Sequence, residues 1–180
     1  MNRGWQDYVL VNDRKIFINV VGEGDAIIFL HGGSGSNHKF FLPHVLPLSK
    51  NYKLILYDQT GCGKSEHLLN NEYSMADEVE TLEMLRKKLK LDKIHLFGES
   101  WSSILALLYA TEYPENVNKL FLTAAIGISS SGYRQFSKEL IKRMSILDKI
   151  KLFIIHNRMK KGKSDDRNVE SYRSLLCIFI

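Results

Sequence analysis

Gly98-Glu99-Ser100-Trp101-Ser102 stands between an apolar run, Lys93–Phe97, and a stretch of helical spacing, Trp101–Tyr113. A hydroxyl residue flanked by small residues at a strand-to-helix junction suits a sharp turn. Such a turn exposes the middle side chain and aims the N-terminal N–H groups of the helix at a ligand oxygen. The last small residue is Ser102, where the common form of this pentapeptide has glycine. Alone, the pentapeptide fits an N-cap serine equally well. Its surroundings decide.

Upstream, Ala26–Leu30 and Leu54–Tyr57 are continuous apolar runs, as expected of parallel strands covered on both faces. Gln6–Asn12 and Lys15–Val21 are β-rich and meet at Asn12-Asp13-Arg14, which predicts an antiparallel hairpin. Ser74 and Asp77 form a capping box, and Val79, Leu82, Leu85 and Leu89 recur at helical spacing, so one face of that helix packs on the sheet. Arg86, Lys87, Lys88 and Lys90 near its C-terminal end predict a solvated cationic face favoured by the dipole. Val117–Thr123 is a further strand beyond Pro114. Strands alternating with helices predict an α/β fold with a mostly parallel sheet and right-handed crossovers. Past residue 128 the pattern changes to a Ser129–Gly132 loop, an amphipathic helix around Phe136–Leu147, and then basic and polar sequence. The expected division is a core over 1–128 and a basic helical segment over 129–180.

With 180 residues, 44% of them hydrophobic, the chain can bury one sizeable core. Its charge is uneven. Residues 1–130 hold 13 Lys and Arg against 15 Asp and Glu, whereas 131–180 hold 12 against 5, a net +7. Without interleaved aromatics or a binding motif that patch reads as a solvated helix, and no nucleic-acid partner is expected. No run reaches the roughly 18 apolar residues of a membrane span, and no basic-then-apolar leader opens the chain, so a cytoplasmic location without membrane attachment is expected. Cys62 and Cys177 have neither disulfide-framework nor metal-ligand spacing.

Two further motifs bear on chemistry. His31-Gly32-Gly33-Ser34-Gly35 directly follows the Ala26–Leu30 strand, and a glycine-rich loop there lets backbone N–H groups approach a ligand. Gly33 or Ser34, with Trp101, are the expected oxyanion donors; His31, Gly32 and Ser34 belong to the loop that meets substrate. Asp58-Gln59-Thr60-Gly61-Cys62-Gly63-Lys64-Ser65 ends like a phosphate loop, but Asp58 occupies the position where that motif needs glycine, so nucleotide binding is not expected. His38, His44, His67 and His95 precede Ser100 and read as local structure.

Together these three motifs resemble the proline iminopeptidase branch of the α/β-hydrolases, over about Asp7 to Ala125. The resemblance implies Ser100 as the nucleophile and the release of an N-terminal residue, typically proline, from a small peptide, with no metal or cofactor. It also implies that 129–180 is the beginning of a helical cap, with the chain truncated within it. The triad Asp and His follow the serine in chain order in this fold. The one histidine after Ser100 is His156, and its neighbouring acids do not fit that order. Ser34, Thr60 and Ser102 stand where the family usually has proline, arginine and glycine, which leaves an esterase, amidase or lactonase of the same superfamily open; the missing acid and base, with the basic tail, leave a non-catalytic fragment or binding module open. An unfinished sheet would expose an apolar edge, so self-association is expected.

Overall fold

The computed structural model describes residues 4–33, 36–67, 74–126 and 130–160. The chain divides into two compact units, Met1–Ala125 and Ile126–Ile180. The first opens with β1 (Trp5–Val11) and β2 (Arg14–Val21), paired antiparallel from Val11 opposite Arg14 to Trp5 opposite Val20. The turn is Asn12-Asp13 alone, one residue tighter than expected. Both residues have left-handed φ, 47° and 60°. Short polar side chains tolerate that geometry, and its twist matches the flanking strands.

Next come β3 (Asp25–Leu30), β4 (Tyr52–Tyr57), β5 (Ile94–Glu99) and β6 (Val117–Thr123). The sheet order is β1-β2-β4-β3-β5-β6, parallel throughout from β4 to β6. Period-2 alternation sorts β3 cleanly. Ile28 and Leu30 join Ile18, Tyr57 and Leu96 on one face, beneath α2 (Met75–Lys88) and α3 (Ser102–Glu112). Ile27 and Phe29 join Leu54 and Leu56 on the other, against Phe41 and Val45 around the short helix α1 (Leu42–Val45). At the far edge β6 has Phe121 and Leu122 43% and 37% exposed, and among the described residues no strand pairs with its outer side.

This topology positions the loops that matter. After β4 the chain crosses over β3 to lay down β5 on its other side, so β3 is flanked by strands whose connections run in opposite directions. In open α/β sheets a crevice forms at the carboxyl ends of the strands at such a reversal. The ends of β3 and β5 are therefore neighbours, with Leu30 opposite Gly98.

The capping box of α2 forms as expected: the Ser74 hydroxyl accepts the Asp77 N–H at 3.0 Å. Its basic end differs from expectation. Arg86 is not part of a solvated face. Its side chain is 12% exposed, grips Glu83 through two 2.8 Å hydrogen bonds and reaches the carbonyls of Leu91 and Asp92. Glu83 also accepts from the Tyr109 hydroxyl of α3 at 2.6 Å, so one carboxylate staples the two helices. Arg86 in particular holds that carboxyl down at about 2.

In the second unit, α4 (Ser130–Arg143) and α5 (Ile146–Lys160) replace the single amphipathic helix expected around Phe136–Leu147. The break comes from Ser145, whose hydroxyl accepts the Asp148 N–H at 3.1 Å and donates to the Asp148 carboxylate at 2.6 Å, a local capping arrangement. Helix also begins at Ser130, where a loop was expected. The basic stretch reads as helix through Lys160 because its interspersed apolar residues have no strong breaker until Gly162.

Glu78, on the first turn of α2, is buried and accepts from the buried Tyr57 hydroxyl at 3.1 Å. Burial raises the carboxyl above its ordinary value. A carboxyl with a raised folded value stabilises the fold most while protonated, and that contribution is lost as pH rises through the folded value. Glu78→Gln keeps the shape and an acceptor without the charge. Its thermal midpoint should gain on that of wild type as pH rises from 4 to 8; an advantage independent of pH would contradict the burial of a titrating acid.

Candidate active site

At the end of β5 the chain turns directly into α3 through Ser100 and Trp101. Ser100 has φ +51°, a left-handed conformation that costs a non-glycine residue on the order of 1–2 kcal/mol. Two main-chain hydrogen bonds hold it there: Ser100 N–H donates to Thr123 O at 2.9 Å, and Ser103 N–H donates to Ser100 O at 3.0 Å. Gly98 makes the sharpness possible. A Cβ there would meet Ser102 O at 2.7 Å, Ala106 Cβ at 2.9 Å and Ser103 Cα at 3.0 Å, so only glycine lets α3 fold back this closely.

The loop after β3 lies beside this turn. Gly32 tolerates no side chain, because a Cβ would stand 1.9 Å from Glu99 Oε2 and 2.8 Å from Glu99 O. Gly33 is the opposite: its φ is +64° and nothing approaches its Cβ position within 4 Å. The two expected donors thus stand one on each side, Gly33 on the loop after β3 and Trp101 on the turn into α3. Ser34 lies outside the described residues.

His31 is fully buried and its ring does not line the site. Its Nε2 accepts the Gln59 N–H at 3.2 Å, and burial pushes the imidazole down to about 4, so it is neutral. The His31 carbonyl receives the Gln59 side-chain amide at 3.1 Å and the Ser102 hydroxyl at 2.5 Å; Gln59 Nε2 also donates to Ser102 Oγ at 2.7 Å. The serine that replaces the usual glycine thus uses its hydroxyl to bind the neighbouring loop. The role of Gln59 was hidden in the sequence because these partners lie 28 and 43 residues from it.

The Asp58 turn is likewise built on itself. The buried Asp58 carboxylate accepts from the His38 N–H at 2.6 Å, His38 Nδ1 at 2.8 Å and the Lys64 N–H at 2.8 Å. The Lys64 ammonium sits 4.3 Å from the Phe17 ring centroid, and the Ser65 hydroxyl donates to Asp58 O while accepting the Phe17 N–H. The Lys64 N–H, the Ser65 N–H and the Ser65 hydroxyl are committed within this turn, to the Asp58 carboxylate, the Cys62 carbonyl and the Asp58 carbonyl. This is why it resembles a phosphate loop in sequence and not in structure.

The remaining histidines are placed elsewhere. His95 is buried on β5 between the Tyr52 and Phe121 rings, and His44 and His67 are exposed. The His156 side chain lies outside the described residues. Among the described residues no group of three His, Cys, Asp or Glu could hold a metal, and no helix is long and apolar enough to cross a membrane. A cavity of about 230 Å³ on the β3-β5-β6 face is lined by Phe29, Phe97, Phe121 and Lys119 among others and shares no residue with the Ser100 turn.

Known proteins share this fold. The α/β-hydrolase fold family matches residues 25–143. A proline iminopeptidase from Lactobacillus delbrueckii subsp. bulgaricus is 34% identical over 153 residues, 80% of this chain and 50% of that protein. One from Clostridioides difficile is 33% identical over 151 residues, 81% of this chain and 50% of the relative. The chain thus spans about half the length of these curated relatives. Among solved structures, a meta-cleavage product hydrolase from Pseudomonas fluorescens superposes with TM-score 0.63 at 29% identity, covering 67% of this chain and 45% of that one. A proline iminopeptidase-related protein from Thermus thermophilus, 24% identical, shares the fold with TM-score 0.65 over 68% of this chain and 45% of its own.

Proposed function

The chain belongs to the α/β-hydrolase family, and from that membership we propose that Ser100 is the nucleophile of a serine hydrolase of the proline iminopeptidase type. The observation that carries the reading is the left-handed backbone of Ser100 at the β5–α3 turn, beside the open Gly33. Ser100 Oγ attacks the carbonyl carbon of the substrate, and its proton passes to a base. The Trp101 and Gly33 N–H groups stabilise the resulting oxyanion, collapse expels the amine, and water releases the acyl group. The similarity to proline iminopeptidases supports an N-terminal prolyl residue as the acyl part; an ester or another amide would use the same groups. On this reading 1–128 is the core, 129–180 belongs to a cap, and no metal or cofactor takes part.

A serine hydroxyl is a weak nucleophile without an adjacent base, and among the described residues no imidazole addresses Ser100. His31 and His38 are buried against Gln59 and Asp58. The 180-residue polypeptide should therefore hydrolyse proline-β-naphthylamide and a short p-nitrophenyl ester near background. Oxyanion donors and binding alone leave on the order of a thousandfold over water, several powers of ten below a complete triad. Fast turnover abolished by both Ser100→Ala and His156→Ala would overturn this expectation and make His156 the base.

A further inference from the structure

We propose that the cavity on the β3-β5-β6 face is a binding site for a small carboxylate with a hydrocarbon body, whose anionic end is met by Lys119 and His95. The site is separate from the Ser100 turn and does not depend on the reading of that serine as nucleophile. Its floor is the sheet itself. Phe29 of β3 stands opposite Phe97 of β5, which in turn stands opposite Phe121 of β6, so one row of three phenyl rings crosses three strands and lines the cavity. The next row brings His95 opposite Lys119. Tyr52 also lines the cavity, its ring centroid 6.1 Å from that of His95.

Size and chemistry restrict the ligand. An apolar cavity of about 150 Å³ accommodates benzene, so one of about 230 Å³ takes a single ring with a short chain, less than a drug-sized molecule requires. The side chains that line it are apolar, aromatic or basic, and none is acidic. His95 is 5% exposed. Asn118 Nδ2 lies 3.5 Å from its Nε2; an amide donor there makes Nε2 the acceptor and places the ring hydrogen on Nδ1. Nδ1 has no hydrogen-bond partner among the described residues, and a buried donor left in that state is unfavourable. Among the described residues no carboxylate pairs with Lys119, whose exposed ammonium stands in the same row. A donor without an acceptor and a cation without a counter-charge, adjacent on the wall of an aromatic cavity, suit a carboxylate carried on a hydrocarbon. An apolar helix, or the apolar face of a second copy, laid across the same rings would cover the aromatics but leave the imidazole donor unpaired and the ammonium partly desolvated.

The test uses the full 180-residue protein, isotopically labelled and titrated with 3-phenylpropionate and with its neutral counterpart, 3-phenylpropan-1-ol. Amide and imidazole nitrogen shifts report where each binds and how tightly. 3-Phenylpropionate should shift residues 95, 119 and 121 and the His95 ring nitrogens saturably, while residues 100–103 stay in place. The alcohol should bind about fivefold more weakly, the size of effect expected from an exposed ion pair. Lys119→Met should lower the affinity for the carboxylate by the same factor and leave that for the alcohol unchanged, whereas Lys119→Arg should keep both. Because Lys119 is exposed on β6, these substitutions leave the fold intact. Equal binding of carboxylate and alcohol to wild type would overturn the proposal, as would undiminished carboxylate binding in Lys119→Met or the lack of saturable shifts at residues 95 and 121. Shifts there that grow with protein concentration, and not with added 3-phenylpropionate, would show a second copy covering the face and would overturn it equally.

Discussion

Ser100→Ala is expected to reduce fluorophosphonate labelling of this protein to background, a loss of about a hundredfold or more, without measurable change in fold. The reagent needs one displacement at phosphorus: Ser100 Oγ forms the new P–O bond, fluoride leaves, and the hydroxyl proton goes to solvent or a base. Slow activation is tolerable because the product accumulates instead of turning over. The substitution should leave the turn standing because what secures Ser100 is main chain, the bonds to Thr123 O and from Ser103 N–H. Alanine can make both. Mass spectrometry of the peptide holding residues 94–112 checks the outcome. Labelling of wild type and Ser100→Ala to the same extent would remove Ser100 from the chemistry.

Asp58→Ala should have the largest effect on stability, about 3–5 kcal/mol in chemical denaturation. Its carboxylate receives three donors, the His38 N–H, His38 Nδ1 and the Lys64 N–H, in a fully buried position. Leaving a buried donor unsatisfied costs about 1–3 kcal/mol, and removing one partner of a buried polar pair about 3–5 kcal/mol. The donors share one acceptor, so their costs do not add fully. A loss of that size is a large fraction of the 5–15 kcal/mol that holds a typical domain together. Asp58→Asn keeps the volume but sets an N–H₂ group against donors, and should lose about half as much. A loss below about 1 kcal/mol for Asp58→Ala would mean that the turn is not organised by this carboxylate.

Much of the fold was legible because its signals are local. The apolar runs of β3, β4 and β5 announce strands buried on both faces, and Ser74 with Asp77 announces the start of α2. The pentapeptide around Ser100 could be read for the same reason, since strand, small residues and helix adjoin. What escaped are side chains whose partners are distant or whose chemistry competes with their type. Arg86 looked like one more solvated cation, yet the Leu91 and Asp92 carbonyls just past the helix and the Glu83 carboxylate draw it in. Ser145 looked like an interior residue of one amphipathic helix, yet Asp148 three residues on makes it a cap. Gln59 was visible as part of a signature, but its bonds to His31 and Ser102 exist only once β3, β4 and β5 are side by side.

Ser102 carries a historical consequence. Its hydroxyl and the Gln59 amide meet on the His31 carbonyl in a fully buried place. Each of the two side chains makes the other one harder to exchange. A lineage that acquired serine here before glutamine would have carried a buried hydroxyl with one partner fewer, whereas glutamine first would have prepared a place for it. Once both are present, return to glycine at position 102 would leave the glutamine amide short of an acceptor. The serine and the glutamine are thus coupled, and an exchange at either position is weighed against the residue present at the other.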